Sequence, residues 1–199
     1  MPVTLPGTLV QAPHRYWDDE RVPVTATRQG AARQPGFAKL YDDGGGPAST
    51  GVYAYYFDKA TEEELFFTMQ LPHAWAQGTD IECHVHWVPP VAGGAGHDVS
   101  WGLEYTWASI GSTYGNTTII YGDTNHLADD PLVQDKHYLT ELGTISGSGH
   151  TMSSMLICRV FRDATSTGGT DDYDNDACLL EIDFHIQKDS WGSTLEYTK

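Results

Sequence analysis

The residues best suited to chemistry in this sequence lie in the run Gly78-Thr79-Asp80-Ile81-Glu82-Cys83-His84-Val85-His86. Two histidines at i and i+2 of a strand point to one face and can share a metal ion. A complete site needs further ligands. A few residues on, where a glutamate would supply one, the chain reads Pro89-Pro90-Val91. His185 shares a strand parity with Glu181 and Asp183, but no second metal motif surrounds it. The expectation is therefore no metal and no cofactor. Glu82, His84, His86, Glu104, Glu181, Asp183 and His185 all fall at the polar parity of their strands. They read as a polar sheet face, on which neighbouring carboxylates would raise the histidine pKa values.

Other chemistry finds less support. Asp172-Tyr173-Asp174-Asn175-Asp176 alternates carboxylates as a calcium loop does, but the sixth position is Ala177 rather than glycine and the twelfth, Asp183, falls in a strand. It reads as a solvated acidic loop. Ser146-Gly147-Ser148-Gly149-His150 is a turn, not a nucleophile elbow. Cys83, Cys158 and Cys178 are sparse and without a CxxC spacing, which suits reduced core thiols. No glycine-rich loop precedes a helix to cradle phosphate. The sequence reads as a protein that is not an enzyme.

The elements that must position these residues are strands. Period-two alternation marks residues 52–57, 64–71, 81–88, 99–107, 117–121, 138–145, 151–161 and 177–186, with 194–197 as a closing candidate. The stretches 138–145 and 151–161 read as a hairpin about the turn at 146–149. Residues 59–65 are the one helical candidate. The fold class this predicts is all-β, a jelly-roll-like β-sandwich over 51–199. Residues 1–50 differ. They carry six of the ten prolines, the run Gly44-Gly45-Gly46 and no periodicity, and they read as an extended N-terminal arm.

Charge narrows the partners. Eleven basic against 27 acidic side chains leave a formal −16, and all of it falls in the body, because the first fifty residues balance five of each. An acidic body repels phosphate, which argues against nucleic acid and against an anionic membrane surface. No stretch approaches the roughly 18 apolar residues of a membrane span. The start shows neither the basic nor the apolar region of a secretory leader.

Several stretches are specific in order and spacing: Trp17-Asp18-Asp19-Glu20-Arg21-Val22-Pro23, Gln70-Leu71-Pro72-His73, His84-Val85-His86-Trp87, Trp101-Gly102-Leu103-Glu104-Tyr105-Thr106-Trp107, Ser153-Ser154-Met155-Leu156 and Glu181-Ile182-Asp183-Phe184-His185. On these the chain, from about residue 15 to its end, resembles a family of tailed-phage and prophage virion proteins. In length, arm and acidic β body it also resembles jelly-roll capsid decoration (cement) proteins. The resemblance implies a structural virion protein, made in the host cytoplasm and mounted on the outer capsid surface. It would assemble as a homo-oligomer, a trimer, and hold the major capsid protein or another virion protein. No catalytic residue comes with it. The arm anchors expected from residue type are Arg15, Tyr16, Trp17, Arg21, Arg28, Arg33, Phe37 and Tyr41: arginines for acidic partners and aromatics for buried contact. The alternatives are a neck, tail or fibre-attachment component that binds a receptor or glycan, and a cupin-like metal enzyme built on His84 and His86.

Overall fold

A computed structural model describes residues 14–45, 49–123, 130–196 and 198–199. The first thirteen residues of the expected arm, Gly46, Pro47 and Tyr197 lie outside the described residues. In chain order the strands are β1 (Tyr16–Pro23), β2 (Arg28–Gln29), β3 (Gly36–Tyr41), β4 (Val52–Phe57), β5 (Glu64–Gln70), β6 (Ile81–Val88), β7 (Ser100–Ala108), β8 (Thr118–Asp123), β9 (Tyr138–Ile145), β10 (Met155–Arg162) and β11 (Ala177–Lys188). A 3-10 turn, Val24–Ala26, follows β1.

All described pairings are antiparallel and form two sheets. One runs β3-β4-β11-β6-β9, with β1 also on β11; the other runs β2-β5-β10-β7-β8. Numbered from β4, the eight body strands interleave as 1-8-3-6 in the first sheet and 2-7-4-5 in the second. That interleaving is the jelly roll. The fold is therefore a jelly-roll β-sandwich, as the alternation predicts.

Alternation also identifies the core. Cys83, Val85 and Trp87 of β6, with Ile182 and Phe184 of the adjacent β11, pack in one buried core with Trp101 and Leu103 of β7 in the other sheet. Phe57 and Trp101 meet edge to face at 5.1 Å, and the buried Trp87 indole donates from Nε1 to Thr140 Oγ1 at 3.0 Å. At one margin the sheets close on each other. A Cβ on Gly122 of β8 would lie 1.8 Å from the Glu141 carbonyl oxygen of β9, so only glycine permits that approach.

Four expectations need correction. The described part of the N-terminal segment is extended, but it does not stand apart from the body: β1 pairs along β11, β2 with β5 and β3 with β4. Its lack of periodicity follows from edge positions, where β1 sends only Val22 into the core. The strands at 138–145 and 155–162 are not a hairpin, since β9 joins β6 and β10 joins β5 and β7 in the opposite sheet. The turn between them crosses the sandwich instead. Residues 59–63 form no helix; Asp58 accepts from the Ala60 and Thr61 amides in a tight turn. Residues 194–196 carry no strand.

Candidate functional site

The outer face of the larger sheet gathers most of the polar residues singled out by parity. Register fixes the arrangement. Asp183 of β11 stands opposite His84 of β6, Glu181 opposite His86 and His185 opposite Glu82. On the other flank of β11, Asp19 of β1 faces His185 and Arg21 faces Asp183. On the far side of β6, Glu141 of β9 faces His84. The core-facing Val85, Ile182 and Phe184 lock this register, because a one-residue slip would turn them to solvent.

At the centre, the Asp183 carboxylate sits between two imidazoles. Its Oδ1 lies 2.8 Å from His84 Nε2 and its Oδ2 3.1 Å from His86 Nε2. His86 Nδ1 in turn is 2.7 Å from Nε2 of His137, the residue just before β9. The His84 and His185 rings lie 5.8 Å apart, edge to face. His84, His86, Asp183 and His185, together with Asp19, Glu82, Leu139 and Glu141, line a shallow depression of about 330 Å3. The contact with Asp183 raises the His84 pKa above its ordinary value, against the opposing effect of burial. Burial alone would raise the Asp183 carboxyl, but its contacts with His84 and His86 outweigh it and hold the pKa below the usual range.

Glu104 does not belong to this face. It lies on β7 in the smaller sheet, where Arg159 gathers Glu104, Glu62 and Glu64 at 2.9, 3.0 and 2.6 Å. Parity along one strand says nothing about which sheet the strand joins. The spacing along one strand that offered no third residue beside His84 and His86 did not account for Asp183, which stands next to both from the neighbouring strand, a placement that only the cross-strand register reveals. Sequence reasoning also missed His137, which lies in a loop without periodicity.

The expected arm anchors divide by residue type. The arginines turn to the body of the same chain. Arg15 donates to Gln187, Arg21 pairs with Glu181 at 3.5 Å and Arg33 with Glu62 at 3.0 Å, while Arg28 sits exposed on β2. The aromatics stay about half exposed. Trp17 rests against the His185 ring at 4.8 Å, and Tyr16 reaches the Ser190 carbonyl. Phe37 stacks on Tyr53 at 5.7 Å and tilts against Tyr55 at 4.9 Å, leaving Phe37 and Tyr53 each about half exposed, at 52% and 50%. Tyr41 ends β3 beside the exposed Val52.

The remaining chemical candidates resolve as structure. The three thiols are buried, and burial pushes Cys158 and Cys178 up to about 12, so none is a thiolate near neutral pH. The acidic loop before β11 is organised by Arg162. Its guanidinium holds Asp171 through both oxygens and also donates to the Tyr173 and Asn175 carbonyls. Asp172 accepts from the Asp98 amide and Asp174 pairs with Lys59, so these carboxylates take separate partners.

No family model matches the chain, and no curated protein does. Among solved structures, TmCBM61 in complex with beta-1,4-galactotriose aligns at 12% identity over 87% of this chain and 88% of its own, with a TM-score of 0.34. The Clostridium thermocellum N-terminal endo-1,4-beta-D-xylanase 10B CBM22-1-GH10 modules complexed with xylohexaose align at 7% identity over 92% of this chain and 27% of theirs, with a TM-score of 0.35. At these scores the fold assignment rests on the strand pairing itself.

Proposed function

We propose that this protein is a structural component of a tailed-phage particle, a decoration protein that binds the outer capsid surface as a homo-oligomer and catalyses nothing. The observation that carries this reading is the open margin of the larger sheet. Where β8 and β9 close one side of the sandwich, β3 is, among the described residues, the edge strand of the other side, with one row of backbone N–H and C=O groups facing outward. Phe37, Tyr41, Val52 and Tyr53 line that margin, all exposed. A sheet edge with this much aromatic surface is a liability unless a neighbour covers it. Half of a Phe or Tyr side chain is roughly 100 Å2, so covering each contributes about 2 kcal/mol. Many copies each contributing a few such contacts hold a lattice by avidity, even though acidic bodies repel one another at low salt.

The sequence resemblance supports the same assignment. The neck or tail alternative has one feature in its favour: Ile110 and Tyr114 are exposed on the loop after β7, where a receptor-binding protein would place apolar contacts. Incubation with bare capsids separates the readings. Wild type should decorate them, and Trp17→Ala and Phe37→Ala should each weaken binding by roughly 2–4 kcal/mol per subunit, while Tyr114→Ala should not. If no variant binds capsids and Tyr114→Ala alone loses the ability to block adsorption to host cells, the decoration reading is wrong.

A further inference from the structure

We propose that His84, His86 and Asp183 form a binding site for one divalent transition-metal ion of the zinc class on the outer face of the larger sheet. The three side chains each offer one ligand atom, and these atoms lie within 4.8 Å of one another. Four ligands about 2.0–2.1 Å from a tetrahedral zinc ion stand a little over 3 Å apart, so small side-chain rotations suffice to close the set. The backbone already aims them. His84 and His86 share one face of β6, and Asp183 is the direct cross-strand partner of His84.

A second observation points to a cation at this place. Asp183 is only 3% exposed, and its Oδ1, although 2.8 Å from His84 Nε2, accepts no aligned hydrogen bond. A carboxylate so far out of water needs positive charge, which the two imidazoles supply only when protonated. Its cross-strand partner Arg21 turns away to Glu181, and among the described residues Asp183 has no ion pair with any lysine or arginine. A metal between the carboxylate and the imidazoles satisfies the oxygen and the charge together.

The outer shell fits as well. His86 Nε2 is hydrogen-bonded to Asp183 Oδ2 at 3.1 Å; when His86 instead carries its hydrogen on Nδ1 and donates it to His137 Nε2, at 2.7 Å, the Nε2 lone pair is left for a metal held between it and Asp183. Outer partners of this kind fix the tautomer of ligating histidines and raise their basicity. Two imidazole nitrogens and one carboxylate oxygen, with no thiolate, favour a borderline ion such as Zn2+ or Co2+ over Ca2+ or Mg2+, which take oxygen ligands. The depression above the three side chains leaves a fourth position for water or for a ligand from another chain.

The test uses the full chain stripped with chelator and titrated with Zn2+ alone. Calorimetry should give one ion per chain, and the melting temperature should rise with free Zn2+. Co2+ in place of Zn2+ should give the intense visible absorption of a low-coordinate site. His84→Ala/His86→Ala should abolish both, and so should the near-isosteric Asp183→Asn, which guards against misfolding of the double variant. His137→Gln keeps every ligand and should weaken Zn2+ binding by about 10–100-fold. His150→Ala, on a ring stacked against Trp107, should leave it unchanged. If the wild type takes up no stoichiometric Zn2+ and gives no low-coordinate Co2+ spectrum, or if binding survives in a folded His84→Ala/His86→Ala protein, the site does not exist.

Discussion

Replacing Arg162 with methionine is expected to bring the fold close to its limit of stability. The guanidinium is fully buried, and all five of its N–H groups are used. Nε and Nη2 hold the Asp171 oxygens at 2.9 and 2.7 Å; Nη1 reaches the Phe57 and Asn175 carbonyls at 3.2 and 2.7 Å; Nη2 reaches the Tyr173 carbonyl at 2.8 Å. Methionine fills much of the volume and supplies none of these donors. An uncompensated buried charge costs about 3–5 kcal/mol, and each orphaned carbonyl adds about 1–3 kcal/mol unless water reaches it. Without water at the three carbonyls the loss is at least about 6 kcal/mol, a large share of the 5–15 kcal/mol that holds a domain.

The pH dependence carries a sign of its own. Burial already raises the Asp171 pKa, against the lowering effect of Arg162, and loss of Arg162 raises it further. A carboxyl whose folded pKa exceeds its unfolded value stabilises most below the unfolded value and loses that contribution as pH rises through the folded one. The variant should therefore lag the wild type more at pH 7 than near pH 4. Urea denaturation at both values measures this, with Arg162→Met/Asp171→Asn as the partner variant. A single-variant loss below about 1 kcal/mol, or a double variant no more stable than the single, would refute the reasoning.

Gly122→Ala should destabilise by about 1–3 kcal/mol in the same assay, because its methyl meets the Glu141 carbonyl and forces β8 from β9. The three thiols should resist a thiol reagent in the native protein and react at the rate of global unfolding; fast labelling at neutral pH would show that they are not the buried, high-pKa groups described. Asp58, held below its ordinary pKa first by the Ala60 amide, stabilises the turn after β4 above pH 3.8 and loses that contribution as pH falls through its lower folded value. Asp58→Asn should accordingly flatten the acid limb of stability against pH, and an unchanged limb would count against the turn.

Much of the fold was legible because alternation is a direct image of burial. Along β6, Ile81, Cys83, Val85 and Trp87 went to the core as their spacing requires. The reading broke where the strand did. A bulge between Leu179 and Glu181 sends Leu179 inward with Ile182, while Leu180 packs outside with Cys178, so strict alternation back from Glu181, Asp183 and His185 puts both leucines on the wrong face. Edge strands were illegible for a different reason: β1 and β3 bury little, and burial is what writes the pattern. The site was half legible. His84 and His86 announce themselves by spacing, but Asp183 joins them through a pairing 99 residues apart in sequence, and no local signal encodes a long-range register.

The proposed role in the particle is tested most directly by the copy number of this chain in purified virions, read by quantitative mass spectrometry against the major capsid protein. Decoration of the capsid surface predicts hundreds of copies per particle, in fixed ratio to the capsid protein. A dozen copies or fewer would place it at the neck or tail, and absence from purified particles would contradict the assignment altogether.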